Sequence, residues 1–134
     1  MRNKQQQGFT LIELMIVIII MGLLAGIVAP EMFGKVGSSQ RKIAHTQMLQ
    51  LDTSLQTYRL DVGDFPENLN ELRTSSKKGW DGPYLNRSIP MDPWGNPYVY
   101  RAEGEQGADY YMASMGKDGQ VGGEGDNEDI VLTW

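Results

Sequence analysis

Glu13 is the side chain whose surroundings most plainly demand a chemical explanation. From Phe9 to Ala29 the chain runs 21 residues with Glu13 as its single charge. A charged side chain at the centre of such a span costs about 2.5–3.5 kcal/mol on insertion scales, so it asks for a partner. No Lys, Arg or His lies between Phe9 and Ala29. The nearest candidate cation is an α-amino group. A cut between Gly8 and Phe9 would create one four residues before Glu13. That is about one helical turn, so the ammonium of a neighbouring, staggered copy could meet the carboxylate. A charge pair in an apolar bundle sets register, the best-attested use of a buried polar group.

A second group lies near the other end. Between Gly116 and Asp129 stand five acids (Asp118, Glu124, Asp126, Glu128, Asp129) and five glycines. Such a loop has almost nothing apolar to bury. Either it stays mobile and solvated, or its carboxylates converge on a hard cation, which takes six to eight oxygens. Glycines suit the second outcome, because they let backbone carbonyls turn inward. An EF-hand frame starting at Asp118 puts Asp118, Asp126 and Asp129 at positions one, nine and twelve. Gln120 and Gly122 then occupy the third and fifth, and strand-like residues follow, so that template fails. Other candidates are sparse. Asp61 and Asp64 could pair as acid and base in a membrane-anchored hydrolase, but no histidine cluster, nucleophile motif or metal triad accompanies them. His45, the only histidine, reads as a solvated helix residue.

The bulk composition agrees with a non-catalytic role. The 134 residues leave room for one small domain, and the net charge of −5 comes without the basic stripe that a nucleic-acid binder shows. There is no cysteine, hence neither disulfide nor thiolate metal site. The apolar run is long enough to cross a bilayer as a helix. Arg2 and Lys4 ahead of it hold that end on the cytoplasmic side. An ordinary cleaved signal has a shorter apolar core, of about 7–15 residues. A plain single-span anchor fits the length but leaves Glu13 unexplained.

Pro30 closes the run, where it would kink or locally melt a helix. Gly22 and Gly26 have a spacing that permits close helix contact. From about Glu31 to Val62 an amphipathic helix is expected. Ala44, Met48, Leu51, Leu55, Tyr58 and Val62 line one face at alternating steps of four and three. A coiled coil is the other use of such a stripe, but it would span only about three heptads. A short helix is expected at Leu69–Arg73, and strands at Tyr98–Arg101, Tyr110–Ser114 and Ile130–Leu132, with turn residues between. The fold class is α+β: one long helix laid over a small antiparallel sheet.

Gly8-Phe9-Thr10-Leu11-Ile12-Glu13 resembles the leader-peptidase site of type IV pilins and pseudopilins. The resemblance implies cleavage after Gly8 by the prepilin peptidase, N-methylation of Phe9, and a part for Glu13 in filament assembly. Asp92-Pro93-Trp94-Gly95-Asn96-Pro97-Tyr98 resembles a hallmark of the major pseudopilins of type II secretion systems, within the type IV pilin-like superfamily. So does the run from Ser114 to Gly123. Departures are Met115 and Lys117, where that family commonly has Leu and Ala, Gly125 in place of an acid or amide, and Leu132-Thr133-Trp134 in place of Asn-Trp.

The resemblance implies a leader at 1–8, a membrane and assembly helix at 9–30 and a periplasmic domain at 31–134. It also implies a single calcium site, with carboxylates from Asp118 and Asp126, Asp129 as a further ligand, and backbone oxygens of Met115 and Gln120. The expected setting is the bacterial inner membrane, with a homopolymer growing through the N-terminal helix. Expected partners are the assembly platform, minor pseudopilins and a cytoplasmic ATPase, since this chain has no P-loop. A type IV pilus pilin is the alternative. The 92–98 motif and the absence of a C-terminal cysteine pair count against it.

Overall fold

The computed structural model describes residues 8–132. The first seven residues of the expected leader, with Arg2 and Lys4, lie outside the described residues, as do Thr133 and Trp134. The chain divides into two units between Val36 and Gly37.

Helix α1 spans Leu11–Val62. Its first part carries exposed Leu, Ile, Met and Val side chains on every side, and its apolar window has a mean hydropathy of 2.9. That is long and apolar enough to cross a membrane. Pro30 lies inside the helix, so the expected local melting is not found. The proline removes one backbone donor, leaving the Gly26 carbonyl without its usual partner. A long helix tolerates that single loss. The helix stops at Gly63, whose φ of 101° only glycine adopts readily and whose amide bonds the Arg59 carbonyl at 2.8 Å.

From Gly37 onward the amphipathic stripe does what its spacing predicts. Ala44, Met48, Leu51, Leu55 and Tyr58 are buried, and Val62 is half-buried. Met48, Leu51, Leu55 and Tyr58 pack with Leu69, Leu72, Tyr98, Tyr110, Met112 and Leu132 in one core, and Val62 lies against it. Each fully buried large side chain there is worth roughly 1.5–3 kcal/mol. Ser54 is also buried in α1, which the apolar spacing does not flag. Its hydroxyl donates to the Tyr84 carbonyl at 3.1 Å and ties the irregular stretch to the helix.

Strands β1 (Val99–Arg101), β2 (Tyr111–Ser114) and β3 (Ile130–Leu132) form an antiparallel sheet in the order β1-β2-β3. Tyr100, Met112 and Leu132 stand opposite one another across the three strands and belong to the core or pack against it. Side chains alternate faces along a strand, so this rank faces the helix and Val99, Ala113 and Val131 face away. Residues 69–72 form a 3-10 turn capped by the Asn68 side chain, where a short helix was expected. The stretch between α1 and β1 is irregular but tied down. Trp80 Nε1 donates to the Glu71 carbonyl at 2.8 Å, the Tyr84 amide to the Leu72 carbonyl at 2.7 Å, and the Tyr100 hydroxyl to the Pro66 carbonyl at 2.8 Å.

Candidate functional site

At the N-terminal junction Gly8 and Phe9 are exposed, Phe9 to 89%. Thr10 and Glu13 bracket the first turn of α1. The Thr10 amide donates to Glu13 Oε2 at 2.9 Å, and the Glu13 amide donates to Thr10 Oγ1 at 3.3 Å. This reciprocal pair is a capping box, which satisfies two amides that every helix start leaves free. No basic residue in its own segment can pair with Glu13, yet Thr10 in that segment hydrogen-bonds it. The signal was present: a threonine followed three residues later by a glutamate, directly before an apolar run. A neutral amide and the positive end of a helix dipole stabilise a carboxylate without cancelling its charge. Among the described residues Glu13 is therefore hydrogen-bonded but has no cationic partner.

The acidic loop leaves β2 at Ser114 and returns at β3, with a 3-10 turn at Gly125–Asn127. Its ends are cross-linked. The Lys117 amide donates to the Asp126 carbonyl at 2.9 Å, and Asn96 Nδ2 donates to the Gly116 carbonyl at 3.0 Å. Gly116 has φ 69°, and a Cβ there would sit 2.6 Å from the Asn127 carbonyl oxygen, so close approach of the two loop arms requires glycine. Asp118 Oδ1 accepts the Gln120 amide at 3.1 Å, and Asp129 Oδ2 accepts the Gly122 amide at 2.9 Å.

Of the five predicted ligands, Met115 is buried, Asp126 and Asp129 are half-buried, and Asp118 and Gln120 are exposed. Among the described residues, no three acidic or histidine side chains stand within reach of one ion. In this loop Asp129 Oδ1 is nevertheless buried and has no hydrogen-bond partner among the described residues. An unpaired buried carboxylate oxygen is costly, and a hard cation is one group that would satisfy it. The five predicted ligands offer only oxygens, the chemistry calcium takes, so they suit that ion in type, although their carboxylates do not converge among the described residues.

Two features escaped the sequence reading. Arg41 on α1 donates through Nη1 to the carbonyls of Gly125 (3.0 Å) and Glu128 (2.7 Å). Its spacing from the loop in sequence left no signal. The turn 92–97 is built around buried Asp92. Asp92 Oδ1 accepts the amides of Trp94 (3.1 Å) and Asn96 (2.8 Å), and Oδ2 accepts the Ser114 hydroxyl. The motif is visible in the sequence, whereas its grip on the loop through Asn96 and Ser114 is visible only in the structure.

No catalytic arrangement accompanies these features among the described residues. Asp61 accepts a hydrogen bond from the Tyr84 hydroxyl at 2.8 Å, and His45 is exposed on α1. An open groove of about 330 Å³ is lined by Asn68, Leu69, Ile89, Met91, Tyr98 and Tyr100 among others. Among the described lining residues its titratable groups are two phenols. Burial first, with nearby carboxylates, holds both above the ordinary tyrosine range.

A capped, bilayer-length apolar helix start, with a small α+β unit built on the same helix's later turns, defines the class of pilin-like proteins. Residues 3–29 match the prokaryotic N-terminal methylation motif, and residues 31–133 match type II secretion system (T2SS), protein G. The core protein G of the type II secretion system from Escherichia coli K12 is 38% identical over 98% of this chain and 93% of its own length. Those from Vibrio cholerae (37%; 96% and 92%) and Pseudomonas aeruginosa (34%; 97% and 96%) are similar. The crystal structure of the major pseudopilin from the type 2 secretion system of enterohaemorrhagic Escherichia coli superimposes with a TM-score of 0.60 at 28% identity. That match covers 74% of this chain and 90% of the other. The chain belongs to the type II secretion system protein G family. Members are structural pseudopilins, not enzymes, and the pilin-like α+β fold expected from the sequence is the one observed.

Proposed function

We propose that the chain is made as an inner-membrane precursor with its C-terminal unit in the periplasm. The prepilin peptidase cuts it between Gly8 and Phe9, Phe9 is N-methylated, and copies polymerise through α1 into a periplasmic filament. Minor pseudopilins and an inner-membrane assembly platform take part, and a cytoplasmic ATPase supplies the energy. The growing filament moves folded proteins through the outer membrane. The observation that carries this reading is Glu13, a carboxylate in a 21-residue span with no basic residue. The α-amino group that cleavage would free, on a neighbouring copy, is the cation it lacks. Intact mass measurement of membrane-extracted protein tests the reading. Loss of residues 1–8 and gain of one methyl group are expected. A full-length polypeptide that supports normal secretion overturns it.

The same reading includes one structural calcium ion in the acidic loop. Asp118, Asp126 and Asp129 would hold it with the backbone oxygens of Met115 and Gln120. Orphaned Asp129 Oδ1 and the oxygen-only donor set support the assignment. Calcium tolerates irregular geometry, whereas magnesium demands a near-ideal octahedron. Once bound, the ion ties the two arms of the loop together in a small domain without disulfides.

A further inference from the structure

Arg41 and Gly37 lie four residues apart on α1, hence on one face, and both meet the acidic loop. Gly37 is buried, and a Cβ built on it would overlap the Asp126 carboxylate. With a Cβ there, the Asp126 carboxylate would have to swing away from the helix. One turn further on, Arg41 Nη1 donates to the carbonyls of Gly125 and Glu128, and Nη2 lies 3.5 Å from the Glu128 carboxylate. Those carbonyls flank Asp126 on one side and immediately precede Asp129 on the other. The guanidinium thus fixes the backbone that carries two of the three carboxylates assigned to the ion. Its planar fork can serve two acceptors at once, which a lysine ammonium does less well.

The helix gains from the same contacts. Among the described residues, Ala44 is the first buried apolar side chain of α1. Before it, polar contacts to the loop hold the helix face. The loop, for its part, carries five carboxylates against one lysine, Lys117, and gains a second cation in Arg41.

We infer that Gly37 and Arg41 form a latch that makes ordering of the acidic loop and of α1 at residues 37–44 a single event, so that Arg41 is a positioning residue for the loop's cation site. The inference rests on the calcium reading for its second half only. By linkage, whatever the latch adds to ion affinity, the ion returns to the helix as order.

The test uses the full chain in detergent micelles. Calcium is titrated calorimetrically, and amide hydrogen exchange is read at residues 37–44 with and without the ion. Arg41→Ala is expected to weaken calcium binding roughly tenfold, within the usual range of coupling between sites. It should also speed exchange at 37–44 by a similar factor, while Lys42→Ala, which removes the same charge one residue away, changes neither. Arg41→Lys should restore only part of both. If Arg41→Ala does not fold, Gly37→Ala decides, and it is expected to weaken calcium binding in the same direction. Calcium affinity in Arg41→Ala that is unchanged, tightened or equal to that of Lys42→Ala overturns the positioning role. If the unaltered chain binds no calcium, the ion assignment fails, and exchange in the metal-free chain judges the latch. Faster exchange in Arg41→Ala upholds it, and unchanged exchange removes it.

Discussion

Asp92 Oδ2 accepts the Ser114 hydroxyl at 2.7 Å, with both residues buried. The bond joins the 92–97 turn to the end of β2, where the acidic loop begins. Asp92 Oδ1 meanwhile organises the turn through the amides of Trp94 and Asn96, and Asn96 passes the connection on to the Gly116 carbonyl. A carboxylate that accepts three hydrogen bonds in a buried site is stabilised where it stands, and its donors depend on it in turn.

Asp92→Ala should therefore destabilise the chain by about 2–4 kcal/mol, because a buried hydroxyl and turn amides lose their acceptor. Asp92→Asn keeps one carbonyl oxygen and should lose less. Urea unfolding of each variant measures the difference. An alanine variant within about 0.5 kcal/mol of the parent, the range of ordinary surface changes, would show that the turn is held by something else.

Glu13 has two separable jobs, and two substitutions divide them. Glu13→Gln keeps a side chain that a capping box accepts but removes the charge. Thr10→Ala breaks half of the box and keeps the charge. If neutralisation by a neighbour's amino terminus drives assembly, crosslinked filament yield should collapse in Glu13→Gln and survive in Thr10→Ala. The reverse ranking would make capping, not charge, the reason for Glu13.

Glu71 sets an acid limit. Burial raises its carboxyl, but the hydrogen bond from Tyr58 and the contact with Lys77 outweigh that and hold it below the ordinary glutamate range. The Tyr58 hydroxyl donates at 2.6 Å, and Lys77 Nζ lies 3.2 Å away. A depressed carboxyl contributes stability that is complete above the unfolded value of about 4.3 and is lost as pH falls through the folded one. Lys77, raised chiefly by its hydrogen bond to Glu71, behaves oppositely. Its contribution is complete below about pH 10.4 and fades as pH rises through the raised value. Glu71→Gln should thus be less stable than the parent at pH 7, with the gap closing below about pH 4. Thermal melts across pH report this, and a constant gap would contradict it.

Asp118→Ala should make the melting temperature insensitive to calcium, where the parent rises as ligand binding to the native state requires. Chelation should lower the parent's melting temperature to near the variant's. A parent whose melting temperature ignores both calcium and chelator has no such site.

The sequence by itself determined the local and periodic parts of this protein. The stripe from Ala44 to Tyr58 specified a helix and the face it buries, because a 3.6-residue period has one outcome when a sheet is available to cover it. The Thr10–Glu13 spacing contained the cap for the same reason, since its partners lie one turn apart. The glycine-rich acidic segment was legible as a loop from composition alone. Only the tertiary structure decided what holds that loop. Arg41 and Gly125 are 84 residues apart, and Asn96 and Gly116 are 20 apart. No periodicity links such pairs; they meet because the core packs α1, the 92–97 turn and β2 together. Ser54 shows the same division, a polar residue buried in α1 because a carbonyl 30 residues later comes to meet it.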